Sequence, residues 1–140
     1  AFLDMPRVKV YTNPAEAESI KKVVDRIKNY SEVGDPILAL PLNPIFYFLT
    51  DRKNPTEYDW ILPGMLDAAD EKKVIGQLQA SPPKVIVFVD IPIDGKEDRR
   101  LANYTPLIYS YLAKNYEFKE MIGMFQILLP KSGAQQNLGT

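Results

Sequence analysis

The side chains that could carry chemistry are few in kind, because the chain contains neither histidine nor cysteine. Their absence excludes Ser-His-Asp and Cys-His catalysis, disulfide bonds, and zinc sites built from histidine or cysteine. Carboxylates, lysine, arginine, tyrosine and hydroxyl groups remain. None of these groups has the spacing of a reaction signature, a phosphate-binding loop or a metal loop. We therefore predict no catalytic residue, no metal site and no cofactor.

An acidic loop follows the most apolar segment of the chain. Asp90, Asp94 and Asp98 come after the run at 85–89, where a strand should reach its carboxyl end. Ligands of open α/β sheets bind at such ends, so these carboxylates form a candidate ligand loop for a divalent cation or a sugar hydroxyl. The competing interpretation is a solvated loop in which Asp90 caps local amides. We favour it, because loops are normally polar and exposed.

A second candidate site is the aromatic segment 46–60. If 45–50 is helical, its three successive aromatic rings spread over too wide an arc to share one buried face. Aromatic side chains rimmed by charges are typical of contact sites. The predicted contact surface comprises Tyr47, Asp51, Arg52, Tyr58 and Trp60. Two alternatives stay open: the rings fill the core, and the charged triplet 51–53 is a solvated helix end or an anion site.

The elements that would position these residues alternate along the chain. Strands are predicted at 8–11, 37–40 and 84–90, and the continuous apolar runs of the last two are typical of buried, parallel strands. Helices are predicted after the capping signals Asn13-Pro14, Asn43-Pro44, Asp70 and Thr105-Pro106. Two closing strands flank Gly123. This order predicts a three-layer α/β/α fold with a mostly parallel, Rossmann-like or flavodoxin-like sheet and a C-terminal antiparallel strand pair.

Length and charge limit the class of protein. The 140 residues fit one domain, predicted at 1–131, followed by a small, polar, disordered tail at 132–140. A net charge of −1 gives no basic footprint for nucleic acid. No run reaches the ~18 apolar residues of a membrane-spanning helix. The start at Ala1, without a signal peptide, indicates a processed protein or an excised segment, and we favour the segment.

Several stretches together are more specific. The chain resembles the extracytoplasmic C-terminal region of bacterial GT-C membrane glycosyltransferases, which are related to dolichyl-phosphate-mannose-protein mannosyltransferases. The resemblance covers most of 8–130 and rests on turns, prolines and aromatic residues. The stretches are ILALP (37–41), PIFYFLTDR (44–52), NPTEY (54–58), LPG (62–64), PPKVIV (82–87), NYEFKEMIG (115–123) and FQIL (125–128).

The resemblance implies a place and a partner. Such enzymes take sugar from a polyprenyl-phosphate donor, and their catalytic acidic residue lies in a loop among the membrane helices, so none is assigned here. It implies a periplasmic domain packed on the transmembrane portion of the same polypeptide, with a glycan acceptor or lipid-linked sugar as further partners. The function expected is a non-catalytic accessory domain of that glycosyltransferase. The alternative is a free-standing Rossmann-like module that binds a small ligand or a protein.

Overall fold

The computed structural model describes the backbone of residues 2–4 and 9–11, and residues 13–131 except for the side chain of Asp94. The predicted tail at 132–140 lies outside the described residues. The helices are α1 (Pro14–Tyr30), α2 (Ile45–Thr50), α3 (Ala68–Ala80), α4 (Leu101–Tyr104) and α5 (Pro106–Asn115). The strands are β1 (Phe2–Asp4), β2 (Lys9–Tyr11), β3 (Leu38–Leu40), β4 (Ile86–Phe88), β5 (Tyr116–Ile122) and β6 (Phe125–Pro130). Two 3₁₀ turns, Ile93–Gly95 and Glu97–Arg99, precede α4.

The main sheet has four strands in the order β3-β4-β6-β5. Strands β3 and β4 pair in parallel, with Ala39 opposite Val87. Strand β6 is antiparallel to both of its neighbours, and Ile127 lies opposite Val87. Strands β1 and β2 pair only with each other, as a separate antiparallel ribbon. The fold is therefore α/β with a small mixed sheet.

The predicted three-layer fold of Rossmann-like or flavodoxin-like type is wrong because its sheet is not mostly parallel, and the reason lies in two pairings. Strand β2 was expected to open the parallel series, but it pairs with β1 outside the main sheet. The hairpin that turns at Gly123 inserts β6 beside β4 and leaves β5 at the edge. The apolar run at 85–89 is buried, as expected of an interior strand. Such a run indicates cover on both faces, but it does not indicate the direction of the neighbouring strand.

The sheet separates two groups of buried side chains. One group packs α1 and α2 against Ala39, Val87 and Ile127. The other packs α3, α4 and α5 against Leu38 and Ile86. The alternation follows from the period of two along a strand, which turns successive side chains to opposite faces. We call these the α1–α2 face and the α3–α5 face.

Three of the four predicted helices begin at or directly after their signals, one begins earlier, and α4 was not predicted. Asn13 caps α1, since its Oδ1 accepts a hydrogen bond from the Glu16 N–H at 2.7 Å. Helix α3 begins three residues earlier than predicted. Asp67 is its cap, and Asp70 completes a capping box by accepting the N–H of Asp67 through its own carboxylate. Either residue type can cap a helix, so composition does not distinguish the two positions.

Candidate functional site

Three loops meet at the carboxyl ends of the parallel strands β3 and β4. The N–H of Val89 donates to the carbonyl of Leu40 at 3.0 Å, and the N–H of Ile61 donates to the carbonyl of Pro41 at 3.0 Å. These two bonds hold three segments side by side: the one that follows β3, the one that ends at Ile61 and the one that follows β4.

Each of these loops exposes one large apolar side chain. Leu42 is 44% exposed, Trp60 is 47% exposed and Ile91 is 42% exposed. We call these three residues the carboxyl rim. The prediction from sequence included Trp60 but missed Leu42 and Ile91. A usable signal was present, because both residues follow a strand within two or three positions and sit next to proline in an otherwise polar loop.

Tyr47 is half-buried against the core of the α1–α2 face and has a structural role. Its hydroxyl accepts a hydrogen bond from the N–H of Ala39 at 2.9 Å. Strand β3 is an edge strand, so this bond satisfies a ladder donor that has no strand partner on that side. Burial, followed by the nearby charge of Asp59, raises the pKa of the Tyr47 phenol well above its ordinary value. The phenol therefore stays neutral and covers the edge of the sheet.

Arg52 was predicted as part of an exposed charged rim, and that placement is wrong. The side chain is only 7% exposed. Its Nε donates to Ser31 Oγ at 2.9 Å, Nη1 donates to the carbonyl of Thr50 at 2.7 Å, and Nη2 donates to the carbonyl of Ser31 at 2.7 Å. Ser31 and Thr50 stand at the carboxyl ends of α1 and α2, where a positive charge is stabilised by the helix dipole. The guanidinium joins two helix ends and is not free to bind an external anion.

The other two members of the predicted contact surface also differ from each other. Asp51 is exposed, adopts a left-handed conformation with φ of 55° after α2, and accepts the N–H of Gly34 through its carbonyl at 2.9 Å. Tyr58 is half-buried against the α3–α5 core. The structure therefore leaves Trp60 and Asp51 exposed, and it does not bring all five predicted residues onto one surface.

The predicted ligand loop closes on itself through Arg100. The Nη1 of Arg100 lies 3.2 Å from Asp90 Oδ1, and the Nε of Arg100 lies 2.6 Å from Glu97 Oε2. The hydrogen bond from Arg100 lowers the pKa of the Glu97 carboxyl and keeps it ionised. Asp98 is exposed on the second 3₁₀ turn, and the side chain of Asp94 lies outside the described residues. In the described part of the chain, no three acidic side chains converge to hold a metal ion.

Glu71 is a buried polar residue that the sequence analysis did not single out. It is 4% exposed on the first turn of α3. Its Oε1 accepts the N–H groups of Leu107 at 3.0 Å and Ile108 at 3.1 Å. Because α5 has no cap from its own Thr105 side chain, Glu71 supplies that cap from a different helix. No local pattern marks this role, since the two helices are about 36 positions apart.

No protein-family model matches the chain, and neither the search of curated proteins nor the search of solved structures finds a match. Among the helices that the structure describes, none combines the length and apolar character needed to cross a bilayer.

Proposed function

We propose that this domain acts through contact and not through catalysis, as the extracytoplasmic accessory domain of a polyprenyl-phosphate-sugar-dependent membrane glycosyltransferase. Its carboxyl rim would lie against the transmembrane portion of the same polypeptide. The choice of partner rests on the resemblance, whose stretches between residues 37 and 64 flank Leu42 and Trp60 in the sequence.

The observation that carries the proposal is the exposure of three large apolar side chains on adjacent loops. Leu42, Trp60 and Ile91 each leave more than two-fifths of their surface exposed, although such side chains gain roughly 1.5–3 kcal/mol when fully buried. Clustered exposure of this kind marks interaction sites, whereas single exposed apolar residues are ordinary. Asp90, which precedes the rim residue Ile91, is already engaged by Arg100.

The first test concerns the gene. If the reading frame that encodes the chain continues upstream into many hydrophobic helices, the proposal stands. A start codon immediately upstream of the codon for Ala1 would contradict it.

The second test uses the complete enzyme. Replacing Leu42, Trp60 and Ile91 together with serine should reduce sugar transfer at least ten-fold while the domain keeps its fold. The matched control is Val33→Ser, because Val33 is 74% exposed in the turn that precedes β3, at the opposite end of that strand. Equal losses for both variants would exclude a specific rim contact. Sugar turnover by this chain alone that disappears in Asp90→Asn would overturn the non-catalytic assignment.

A further inference from the structure

The two edges of the main sheet differ in how far they are closed. At the β3 edge, the N–H of Ala39 donates to the Tyr47 hydroxyl at 2.9 Å, and the N–H of Ile37 donates to the carbonyl of Lys53 at 2.9 Å. At the other edge lies β5, which has seven residues. Within the part of the chain that the structure describes, no hydrogen bond crosses the outer side of β5. An open edge of this length is a template for a further strand.

The hydrogen bonds of the β5–β6 hairpin determine which backbone groups of β5 face outward. Next to the first residue of β5, the carbonyl of Asn115 accepts the N–H of Lys131 at 2.9 Å, so Asn115 faces the β6 side. Successive residues of an antiparallel strand direct their N–H and C=O groups to alternate sides. Phe118, three positions further along, therefore directs its N–H and C=O groups outward.

A β-bulge changes the spacing of the outward groups nearer the turn. Ile122 pairs with Phe125 across the two-residue turn, and such a turn is closed by a hydrogen bond between its first and fourth residues. Ile122 therefore faces β6, and its neighbour Met121 faces outward. The register shifts between Phe118 and Glu120, which leaves one additional residue between them. The outward groups of Phe118 and Met121 are consequently three positions apart instead of two.

The bulge also keeps two large apolar side chains on one face of the sheet. Phe118 lies opposite Leu128, and Met121 lies opposite Gln126. Residues directly opposite each other share a face, and Phe118, Gln126 and Leu128 line one groove on the α3–α5 face. Phe118 is 58% exposed and Met121 is 54% exposed. The open edge therefore combines outward backbone groups with exposed apolar side chains.

The spacing of three positions determines which strand fits this edge. A regular strand directs backbone groups to one side at every second residue, so it can bond to Phe118 or to Met121 but not to both. The β5 strand of a second copy has the same spacing of three. When two β5 strands run antiparallel about a two-fold axis, Phe118 of each lies opposite Met121 of the other, and both pairs can exchange backbone hydrogen bonds.

The side chains favour this register over its main alternative. Opposite residues have Cβ atoms about 5 Å apart, so the Phe118 ring of each copy lies beside the Met121 thioether of the other, which is a stabilising contact. Lys119 then lies opposite Glu120 of the second copy, so unlike charges face each other. A two-fold register that pairs Tyr116 with Phe118 instead places Glu117 opposite itself, and like charges directly opposite are destabilising.

We propose that β5 pairs antiparallel with β5 of a second copy, with Phe118 of each opposite Met121 of the other, so that the two four-stranded sheets form one continuous sheet. The bulge then gives specificity, because it hinders pairing with regular strands and fits its own copy. The inference goes beyond the proposed function and does not rest on it, because the carboxyl rim contributes none of these residues.

Sedimentation equilibrium of the chain tests the association. We expect a reversible monomer–dimer equilibrium between about 10 µM and 1 mM, since a contact between two strands is smaller than a standard interface. Phe118→Ser and Met121→Ser should each weaken the dimer at least ten-fold. Met124→Ser is the matched control and should leave the dimer unchanged, because Met124 is 57% exposed but lies in the hairpin turn, beyond the end of β5.

Cysteine cross-linking tests the register, because the chain has no cysteine of its own. Opposite residues have Cα atoms about 5.5 Å apart, which suits a disulfide. An equimolar mixture of Phe118→Cys and Met121→Cys chains should therefore form an oxidised dimer at least ten-fold faster than either variant alone. No residue lies opposite itself in this register, so Glu117→Cys alone should also cross-link slowly.

Four results would overturn the proposal. A chain that stays monomeric at about 1 mM would do so, and Phe118-dependent sedimentation of that monomer with phosphatidylglycerol vesicles would make the occupant a membrane. Equal effects of Phe118→Ser and Met124→Ser would exclude a contact at β5. Fast cross-linking of Phe118→Cys or Glu117→Cys with itself would indicate another register.

The fourth result would assign the association to the carboxyl rim. It is a dimer that survives Phe118→Ser but is lost when the three rim residues are replaced together with serine. Retention of the wild-type melting temperature by each variant shows that losses of the dimer do not come from unfolding.

Discussion

Replacing Glu71 with alanine should destabilise the domain by about 3 kcal/mol, because a single carboxylate oxygen caps α5 from α3. Hydrogen bonds to a charged group contribute roughly 1.5–3 kcal/mol each. Only one of the two amides is fully shielded, since Ile108 is 0% exposed and Leu107 is 37% exposed. The full cost therefore applies to the Ile108 N–H, and a reduced cost applies to the Leu107 N–H, which water can reach.

A comparison of Glu71→Ala with Glu71→Gln separates the acceptor from its charge. The amide oxygen of glutamine can still accept, so Glu71→Gln should lose only about 1 kcal/mol, mainly the interaction of the charge with the N-terminus of α5. Urea unfolding, followed by Trp60 fluorescence and circular dichroism, gives both free energies of unfolding. At roughly 3–4 °C per kcal/mol for a chain of this size, Glu71→Ala should lower Tm by about 10 °C.

The control is Gln79→Ala on the exposed side of the same helix, which should stay within about 0.5 kcal/mol of wild type. A loss below 0.5 kcal/mol for Glu71→Ala would refute the capping role. Equal losses of stability for the alanine and glutamine variants would also refute the capping role, because the oxygen acceptor at residue 71 would then contribute nothing to stability.

Three further perturbations test other contacts. Tyr47→Phe should lower the free energy of unfolding by about 1–3 kcal/mol, because the buried N–H of Ala39 loses its acceptor. An unchanged midpoint in urea unfolding would contradict the edge-covering role. Gly123→Ala should lower stability by at least about 1 kcal/mol, since φ is +59° and a Cβ would lie 2.5 Å from Ser19 Oγ; an unaltered Tm would show that the turn can relax. Burial raises the pKa of Tyr104 to about 12, above its unfolded value of about 10. Its contribution to stability is therefore complete below about pH 10 and is lost as the pH rises through about 12; Tyr104→Phe should flatten that decline in urea midpoints, and an identical slope would contradict the assignment.

Much of the local structure was predictable, because caps and hydrophobic periods act over short distances. Asn13 before Pro14 marks the start of α1, and the aromatic segment at 45–50 forms a helix as its Asn43-Pro44 signal indicates. The pairing of strands was not predictable in the same way. The run Ile86–Phe88 is buried on both faces, and that pattern is identical whether its second neighbour is parallel or antiparallel.

The candidate site was less predictable than the helices, because tertiary contacts decide which of its side chains are buried and which are exposed. In the triplet 51–53, three consecutive charged residues look equally solvated by sequence. The packing of α1 beside α2 draws Arg52 inside, where it bonds to both helix ends, and leaves Asp51 and Lys53 exposed. The contact between Ser31 and Arg52 cannot be predicted from the hydrophobic period of either helix.

The polar side chains of the interior share a pattern that bears on function. Arg52 joins two helix ends, Glu71 caps a third helix, and Tyr47 covers a strand edge. Each is buried or half-buried and bonds to backbone groups, and Arg52 also bonds to the Ser31 hydroxyl, so each stabilises the fold. In contrast to these buried polar groups, large apolar side chains are exposed at two places on the surface, around Trp60 and around Phe118. Association needs accessible apolar area, and this exposed apolar surface is the observation behind the proposal that the domain works by contact.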